Sequence, residues 1–180
     1  MPEPYLSSIL SFAHKLEETN QLSEAAVGKG ESKKVDKEVR TDKILWLDGF
    51  ENEEVQWLRD IYEGLQNMLR ENFFLPVKRY EFHLTKYEKG SFYRLHQDTH
   101  TEKPGRLVSC VLYLNTCPEG EGGELVLYDH EVRPIKIRPE RGKIVVFDSA
   151  LEHKVEKTNV DRWSVTGWLR SDIHPGIRLY

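Results

Sequence analysis

Between Arg106 and Arg170 the chain is a series of short apolar, β-branched segments separated by turns. That pattern restricts the fold more than any other feature. RLVSCVLYLN (106–115), ELVLYD (124–129), VRPIKI (132–137), KIVVFD (143–148) and DRWSVTGWLR (161–170) each read as strands, with the turn-forming PEGEGG and PERG among them. Segments of this length and number bury their apolar faces by packing as two facing antiparallel sheets. The expected fold is therefore mainly β, a double-stranded β-helix or jelly roll. PEGEGG is read as backbone geometry between strands, because it lacks the strand-to-helix setting or the Lys of a phosphate loop.

Helical spacing is confined to the first part of the chain. Tyr5, Leu6, Ile9, Leu10, Ala13 and Leu16 predict an amphipathic helix over 4–18, and Val55, Leu58, Ile61, Tyr62, Leu65 and Leu69 predict another over 52–72. Both stripes are read as core-facing, so the helices support the sheets. Residues 19–43 are polar, charged and poor in apolar side chains, and are expected to form a loop or partly mobile connection. ILWLDGF then reads as a short strand and turn. The expected organisation is one domain over 1–180. It divides into an N-terminal helix and polar connection (1–43), a strand and supporting helix (44–80) and a strand-rich core (81–171), with no internal repeat.

Within the strand region, His96, Asp98 and His153 stand out. Two imidazoles and one carboxylate can occupy one face of an octahedral metal, a donor set suited to non-haem Fe(II) with open positions for other ligands. Period-2 spacing puts His96 and Asp98 on one side of an extended segment, and His153 must come from another strand. A His-x-Asp pair alone is common and could be a surface turn with an ion pair; its weight comes from its companions. Arg162, Ser164, Thr166 and Trp168 alternate and share a face. An inward-facing Arg is costly unless it meets an anion. A metal-bound dicarboxylate would supply one, and a planar guanidinium fits a carboxylate bidentately. Tyr113 could donate a second hydrogen bond to the same carboxylate, with Val111 as a pocket wall. Two rival readings remain open. His100, in HQDTH, invites a zinc chelate that would leave the Arg162–Tyr113 face unexplained. Arg162 could instead bridge to a core carboxylate. His14, His83, His130 and His174 are read as surface or structural, and Asp148 as supporting rather than ligating.

Several ordered motifs lie at family spacing: KYEKGSFYRLHQD, an R-x6-YLN run at Arg106–Asn115, GGELVLYD, a G-x-x-x-x-F-D-S-x-x-x-H-x-V run ending at Val155, and RWSVTGWLR. On these motifs the chain, from about Glu81 to Ser171, resembles the iron(II)/2-oxoglutarate-dependent dioxygenases, in the prolyl 4-hydroxylase branch. Within that branch it is similar to the oxygen-sensing protein prolyl hydroxylases and their bacterial relatives. The resemblance implies His96, Asp98 and His153 as metal ligands. It implies Arg162 with Tyr113 on the distal carboxylate of 2-oxoglutarate, and Thr166 and Trp168 along the pocket. It also implies Arg106 as a contact to a polypeptide substrate and Tyr87 near the entrance. The family tyrosine usually lies one residue further from the first ligand than Tyr87 lies from His96.

The function expected from this resemblance is hydroxylation of a C–H bond, with a prolyl residue of a protein as the leading substrate and release of succinate and CO2. Fe(II), 2-oxoglutarate and O2 are the implied cofactors, with ascorbate as an optional reductant. The alternatives are hydroxylation of a free amino acid or other small molecule, and a non-catalytic binding or sensing module on the same fold. The intact triad and anchor favour the enzyme. The short segment between Tyr87 and His96 leaves little material for a long lid, which favours an open cleft able to admit a peptide loop.

Composition narrows the partners. A net charge of −4, with no basic block, does not announce a nucleic-acid surface. No apolar run approaches the ~20 residues that cross a bilayer. MPEPYLSSIL lacks the basic and apolar regions of a secretory leader, so a cytoplasmic protein is expected. Two cysteines, Cys110 and Cys117, make no disulfide framework and are expected to be ordinary thiols in a reducing compartment.

Overall fold

The structure is a computed structural model of the 180-residue chain and describes residues 2–27, 34–99 and 105–172. Its strands are β1 (Ser23–Glu24), β2 (Ala26–Val27), β3 (Lys34–Val35), β4 (Lys43–Trp46), β5 (Arg79–Tyr87), β6 (Tyr93–His96), β7 (Arg106–Tyr113), β8 (Leu125–Tyr128), β9 (Pro134–Ile137), β10 (Ile144–Asp148), β11 (His153–Val155) and β12 (Arg162–Arg170). Its helices are α1 (Glu3–Glu18) and α2 (Glu53–Phe73). A six-stranded sheet in the order β1-β4-β5-β12-β7-β10 faces a four-stranded sheet in the order β6-β11-β8-β9. All pairings are antiparallel, and the two sheets form the expected jelly roll.

Strand alternation sorts the large sheet into two faces. Phe82 and Leu84 of β5, Val108, Cys110 and Leu112 of β7, and Trp163, Val165 and Leu169 of β12 turn outward onto the helices. There they meet Leu6, Ile9, Ala13 and Leu16 of α1 and Val55, Leu58, Tyr62 and Leu69 of α2, spaced by three, four or seven residues so that each helix buries one stripe. Each buried Val, Leu, Ile or Phe side chain among these contributes roughly 1.5–3 kcal/mol. The close approach of α2 depends on Gly167 of β12, where any Cβ would come within 2.5 Å of the Tyr62 hydroxyl. Opposite residues of the same strands (His83, Thr85 and Tyr87; Ser109, Val111 and Tyr113; Ser164, Thr166 and Trp168) face the second sheet. A smaller apolar cluster of Val111, Tyr113, Leu125, Leu127 and Phe147 joins the sheets there.

Two expectations need correcting. Residues 19–43 are not a featureless connection: β1 pairs with β4, β2 pairs with β3, and Ala25 and Asp42 are buried. Two-residue strands held by backbone bonds, β1 to the edge strand β4 and β2 to β3, need no apolar periodicity, so composition could not reveal them. The central strand β5, paired along its length with β12, was also missing from the sequence reading. Its inward His83 and Thr85 are polar, which hid a burial pattern otherwise marked by Tyr80, Phe82 and Leu84. The PEGEGG turn behaves as expected. Gly120, Gly122 and Gly123 all have positive φ, and a Cβ on Gly122 would fall 2.0 Å from the Lys157 carbonyl oxygen. Cys110 and Cys117 are buried free thiols. No helix among the described residues is long and apolar enough to cross a membrane.

Candidate metal centre and anion pocket

A cavity of about 510 Å³ opens between the sheets, and His96, Asp98 and His153 share its wall. His153 in β11 sits directly across from His96, the last residue of β6. Asp98 lies in the bend just after β6 rather than in the strand itself. Its N–H and that of Thr99 both donate to the Ser149 carbonyl (3.0 and 3.2 Å), stitching the bend to the loop before β11. One donor atom from each of the three side chains lies within 4.8 Å of the other two.

The surrounding hydrogen bonds decide which atoms point inward. His96 Nδ1 lies 2.7 Å from the Arg94 carbonyl and His153 Nδ1 2.9 Å from the Leu151 carbonyl. A carbonyl only accepts, so both Nδ1 atoms carry the proton and both Nε2 lone pairs are free. These Nε2 atoms lie 3.8 and 3.4 Å from the Asp98 carboxylate oxygens. Ser109 Oγ donates to Asp98 at 2.7 Å and contacts Ser149 Oγ at 2.8 Å, orienting the carboxylate. Burial would raise the Asp98 pKa, but His153, His96 and Ser109 outweigh it and hold the carboxyl well below its usual range. Burial and the neighbouring His153 push His96 down to about 3, so it stays neutral as a ligand must. Burial opposes charge on His153 as well, yet Asp98, whose carboxylate would accept from a protonated Nε2, prevails and raises its pKa. Two neutral-capable imidazoles and a fixed carboxylate form a donor set that fits Fe(II).

At the other end of the inner face, Arg162 is only 2% exposed. It meets no carboxylate among the described residues: Nη1 reaches Ser164 Oγ at 3.3 Å, and Nε has no partner. The guanidinium carbon lies 4.8 Å from the Tyr87 ring centre and 5.0 Å from that of Tyr113, whose buried hydroxyl also lacks a partner. Gly123 leaves space for this side chain, since a Cβ there would come 3.4 Å from Arg162 Cδ. A buried cation with no counter-charge, next to an unused phenol, is suited to an anion brought from outside. The reading of Arg162 as a bridge to a core carboxylate fails for the described residues.

Thr166, Val111 and Trp168 also line the cavity, between and beside these ends. Thr166 pairs with Val111 in register, and Trp168 with Ser109, so the wall runs from the metal triad toward Arg162. Arg106 lies over the Trp168 ring at 3.5 Å and is tied to Glu81 at 2.8 Å, partly exposed at the rim. Tyr87 departs from the expectation. It is buried beneath Arg162 rather than at an entrance, because β5 runs alongside the start of β12 and pairs Tyr87 with Arg162. Asp148 is exposed and caps its own turn by accepting the Ala150 N–H at 2.8 Å. His100 and His174, and with His100 the zinc alternative, lie outside the described residues.

His83, read from the sequence as surface or structural, is part of the cavity wall. It is 3% exposed and lines the cavity, with its ring between Trp46 (4.9 Å) and Trp168 (5.2 Å). Thr85 Oγ1 lies 2.9 Å from its Nδ1 and donates to Thr166. The His83–Thr85–Tyr87 alternation was the signal available for it. Burial, with help from Arg40 and Arg106, lowers its pKa to about 3. Below pH ~6.5 the unfolded chain takes up a proton on this residue that the fold refuses. Stability should therefore fall with pH by about 1.4 kcal/mol per unit down to the folded pKa. In urea unfolding at pH 7 and 4.5, His83→Met should lose less stability on acidification than the parent. An identical loss would contradict the neutral, buried histidine.

Residues 82–170 match a family model described as the 2OG-Fe(II) oxygenase superfamily. Among curated proteins, an uncharacterized PKHD-type hydroxylase of Synechocystis sp. is 30% identical over 134 residues, which cover 63% of this chain and 44% of that protein. A PKHD-type hydroxylase of Prochlorococcus marinus is 27% identical over 168 residues, covering 81% of this chain and 75% of its own. The chain thus spans less than half the length of the first of these relatives. Among solved structures, a Pseudomonas putida prolyl-4-hydroxylase matches with a TM-score of 0.85 at 26% identity, covering 96% of this chain and 89% of the other. A prolyl hydroxylase from Trichoplax adhaerens, solved with a hypoxia inducible factor oxygen degradation domain peptide fragment, shares the fold. Its TM-score is 0.83 at 23% identity, covering 95% of this chain and 80% of that one.

Proposed function

We propose that this protein is a dioxygenase of the 2OG-Fe(II) oxygenase superfamily, whose family model residues 82–170 match, and that it hydroxylates a C–H bond, with a prolyl residue of a protein or peptide as its substrate. The observation that carries the reading is the pairing of a two-histidine, one-carboxylate cluster with a buried guanidinium that meets no counter-charge among the described residues, in one cavity. Similarity to the Pseudomonas putida prolyl-4-hydroxylase supports the prolyl substrate.

In this reading His96 and His153 hold Fe(II) through Nε2 and Asp98 through its carboxylate, with Ser109 keeping that carboxylate turned inward. Fe(II) with bound 2-oxoglutarate and O2 supplies the oxidising chemistry that hydroxylates the substrate and releases succinate and CO2. Arg162 and the Tyr113 hydroxyl take the distal carboxylate of 2-oxoglutarate, which sets its orientation toward the metal. Tyr87 closes the pocket beneath the guanidinium. Val111, Thr166 and Trp168 wall the cosubstrate off from water, which strengthens each polar contact inside. Arg106, on the rim and partly exposed, is available to the polypeptide. Residues 81–171 make up the catalytic core, and the helices before them brace its large sheet.

Anaerobic titration with Fe(II) and 2-oxoglutarate tests the cofactor reading. A visible charge-transfer band should appear only when both are present and should saturate at one equivalent of each. Its absence in folded protein would reject the reading. Mass spectrometry of proline-containing peptides incubated aerobically then tests the substrate, by a gain of one oxygen on proline.

A further inference from the structure

His96 is gripped from its outer side by a stack of side chains that begins well before the family-matched region. The Tyr93 ring lies on the His96 imidazole, centres 3.5 Å apart and planes 16° from parallel. Residues three apart on a strand normally point to opposite faces. A bulge resolves this: His153 pairs with His96 and Val155 with Tyr93, so the four residues 93–96 of β6 stand against the three residues 153–155 of β11, which brings Tyr93 and His96 to the same side. The Arg40 guanidinium carbon lies 4.1 Å from the centre of the Tyr93 ring. Since His96 occupies one face of that ring, Arg40 covers the other.

Arg40 is itself locked in place. Its Nε and Nη2 donate to the two oxygens of Asp42 at 2.7 and 2.5 Å, and Asp42 is 1% exposed. Its backbone is laid along the start of β6 by a bridge to Tyr93, by Arg94 N–H to the Val39 carbonyl at 2.9 Å and by Thr41 N–H to the Phe92 carbonyl at 3.1 Å. With the charge of Arg40 met by Asp42, this guanidinium is not a second anion site like that of Arg162. Its remaining function is steric: together with Tyr93 it stops the His96 ring from turning about its side-chain bonds. The Nδ1 bond to the Arg94 carbonyl fixes which nitrogen faces the cavity but cannot by itself fix the ring plane.

We infer that Arg40 and Tyr93 are positioning residues for the metal, acting through His96, so that segment 39–42 is a working part of the metal centre. The inference rests on His96 being a ligand, as proposed above. A ligand ring held in its binding orientation loses less freedom when the metal arrives, so the clamp acts on affinity before any turnover.

Co(II) titration followed by visible absorption and calorimetry tests this without a substrate. Tyr93→Leu, and the charge-neutral double variant Arg40→Gln/Asp42→Asn, should bind Co(II) about 10- to 100-fold more weakly with altered band positions, the usual range for groups that orient a ligand. Tyr93→Phe keeps the ring and should bind as the parent does. The double variant avoids leaving Asp42 buried without a partner and carries the test if circular dichroism shows Tyr93→Leu to be unfolded. Parent-like affinity and spectrum in the double variant, or an equal loss in Tyr93→Phe and Tyr93→Leu, would overturn the inference. His153→Ala separates the two claims. If it loses Co(II) while the clamp variants keep it, the inference alone fails; if it binds like the parent, the metal reading fails and the inference with it.

Discussion

Alanine at His153 is expected to abolish metal retention and turnover while leaving the two-sheet fold in place. His153 is the only ligand candidate contributed by β11, and its Nε2 lies 3.4 Å from Asp98. Without it, His96 and Asp98 remain as a two-donor site open to water, which binds a divalent ion far more weakly than three converging donors. The loss should exceed the 10- to 100-fold typical of residues that only orient a ligand. The structural cost is separable. His153 touches the edge of Phe147 at 4.9 Å and is 4% exposed, so truncation leaves a small cavity and lowers the melting temperature. His153→Gln fills most of that space without an imidazole, and should recover stability but not metal. The check is iron content by elemental analysis and hydroxylation by mass spectrometry, with circular dichroism on the same samples. Stoichiometric iron and parent-like activity in His153→Ala would sink the assignment.

The second large effect belongs to Arg162. Its guanidinium meets Ser164 Oγ at 3.3 Å and two aromatic faces, but no acid among the described residues. An arginine kept for stability would lie in a carboxylate pair whose removal costs several kcal/mol. Here Arg162→Ala should barely change stability, while weakening 2-oxoglutarate binding by ~2–4 kcal/mol, roughly 30- to 1000-fold. Arg162→Lys should fall between, because an ammonium supplies charge without the planar fork. Tyr113→Phe, which removes one hydrogen bond to a charged group, should cost about 1.5–3 kcal/mol. Succinate formation against 2-oxoglutarate concentration, with iron quantified for each variant, reads all three. An unchanged 2-oxoglutarate requirement in Arg162→Ala would show that the anion pocket has been misread.

Much of this molecule was legible in local pattern. The stripes that became α1 and α2, the alternation along β7, β10 and β12, and the glycines of the 118–123 turn are all properties of a few consecutive residues. Periodicity reports them because a side chain's direction follows from its own backbone. The same alternation put Arg162 on the inner face with Ser164 and Thr166, and the structure keeps it there. The sequence also brought His96, Asp98 and His153 forward as one group, but on the company they keep rather than on proximity it could measure.

Other features were decided only in three dimensions. The pairing of β5 with β12 brought Tyr87 under Arg162, not to an entrance, and turned His83 from a presumed surface or structural residue into part of the cavity wall. The bulge between β6 and β11 set Tyr93 upon His96, against the period-2 rule that any reading of the strand alone would apply. Residues 39–42, which look like polar connection, came to lie against Tyr93, beside His96, because backbone groups at a sheet edge pair with whatever strand lies beside them. Local sequence thus determined which way each side chain points from its own strand. Which strands became neighbours, in what register and with what bulge, was decided by long-range packing, and those choices determine what the inward side chains meet.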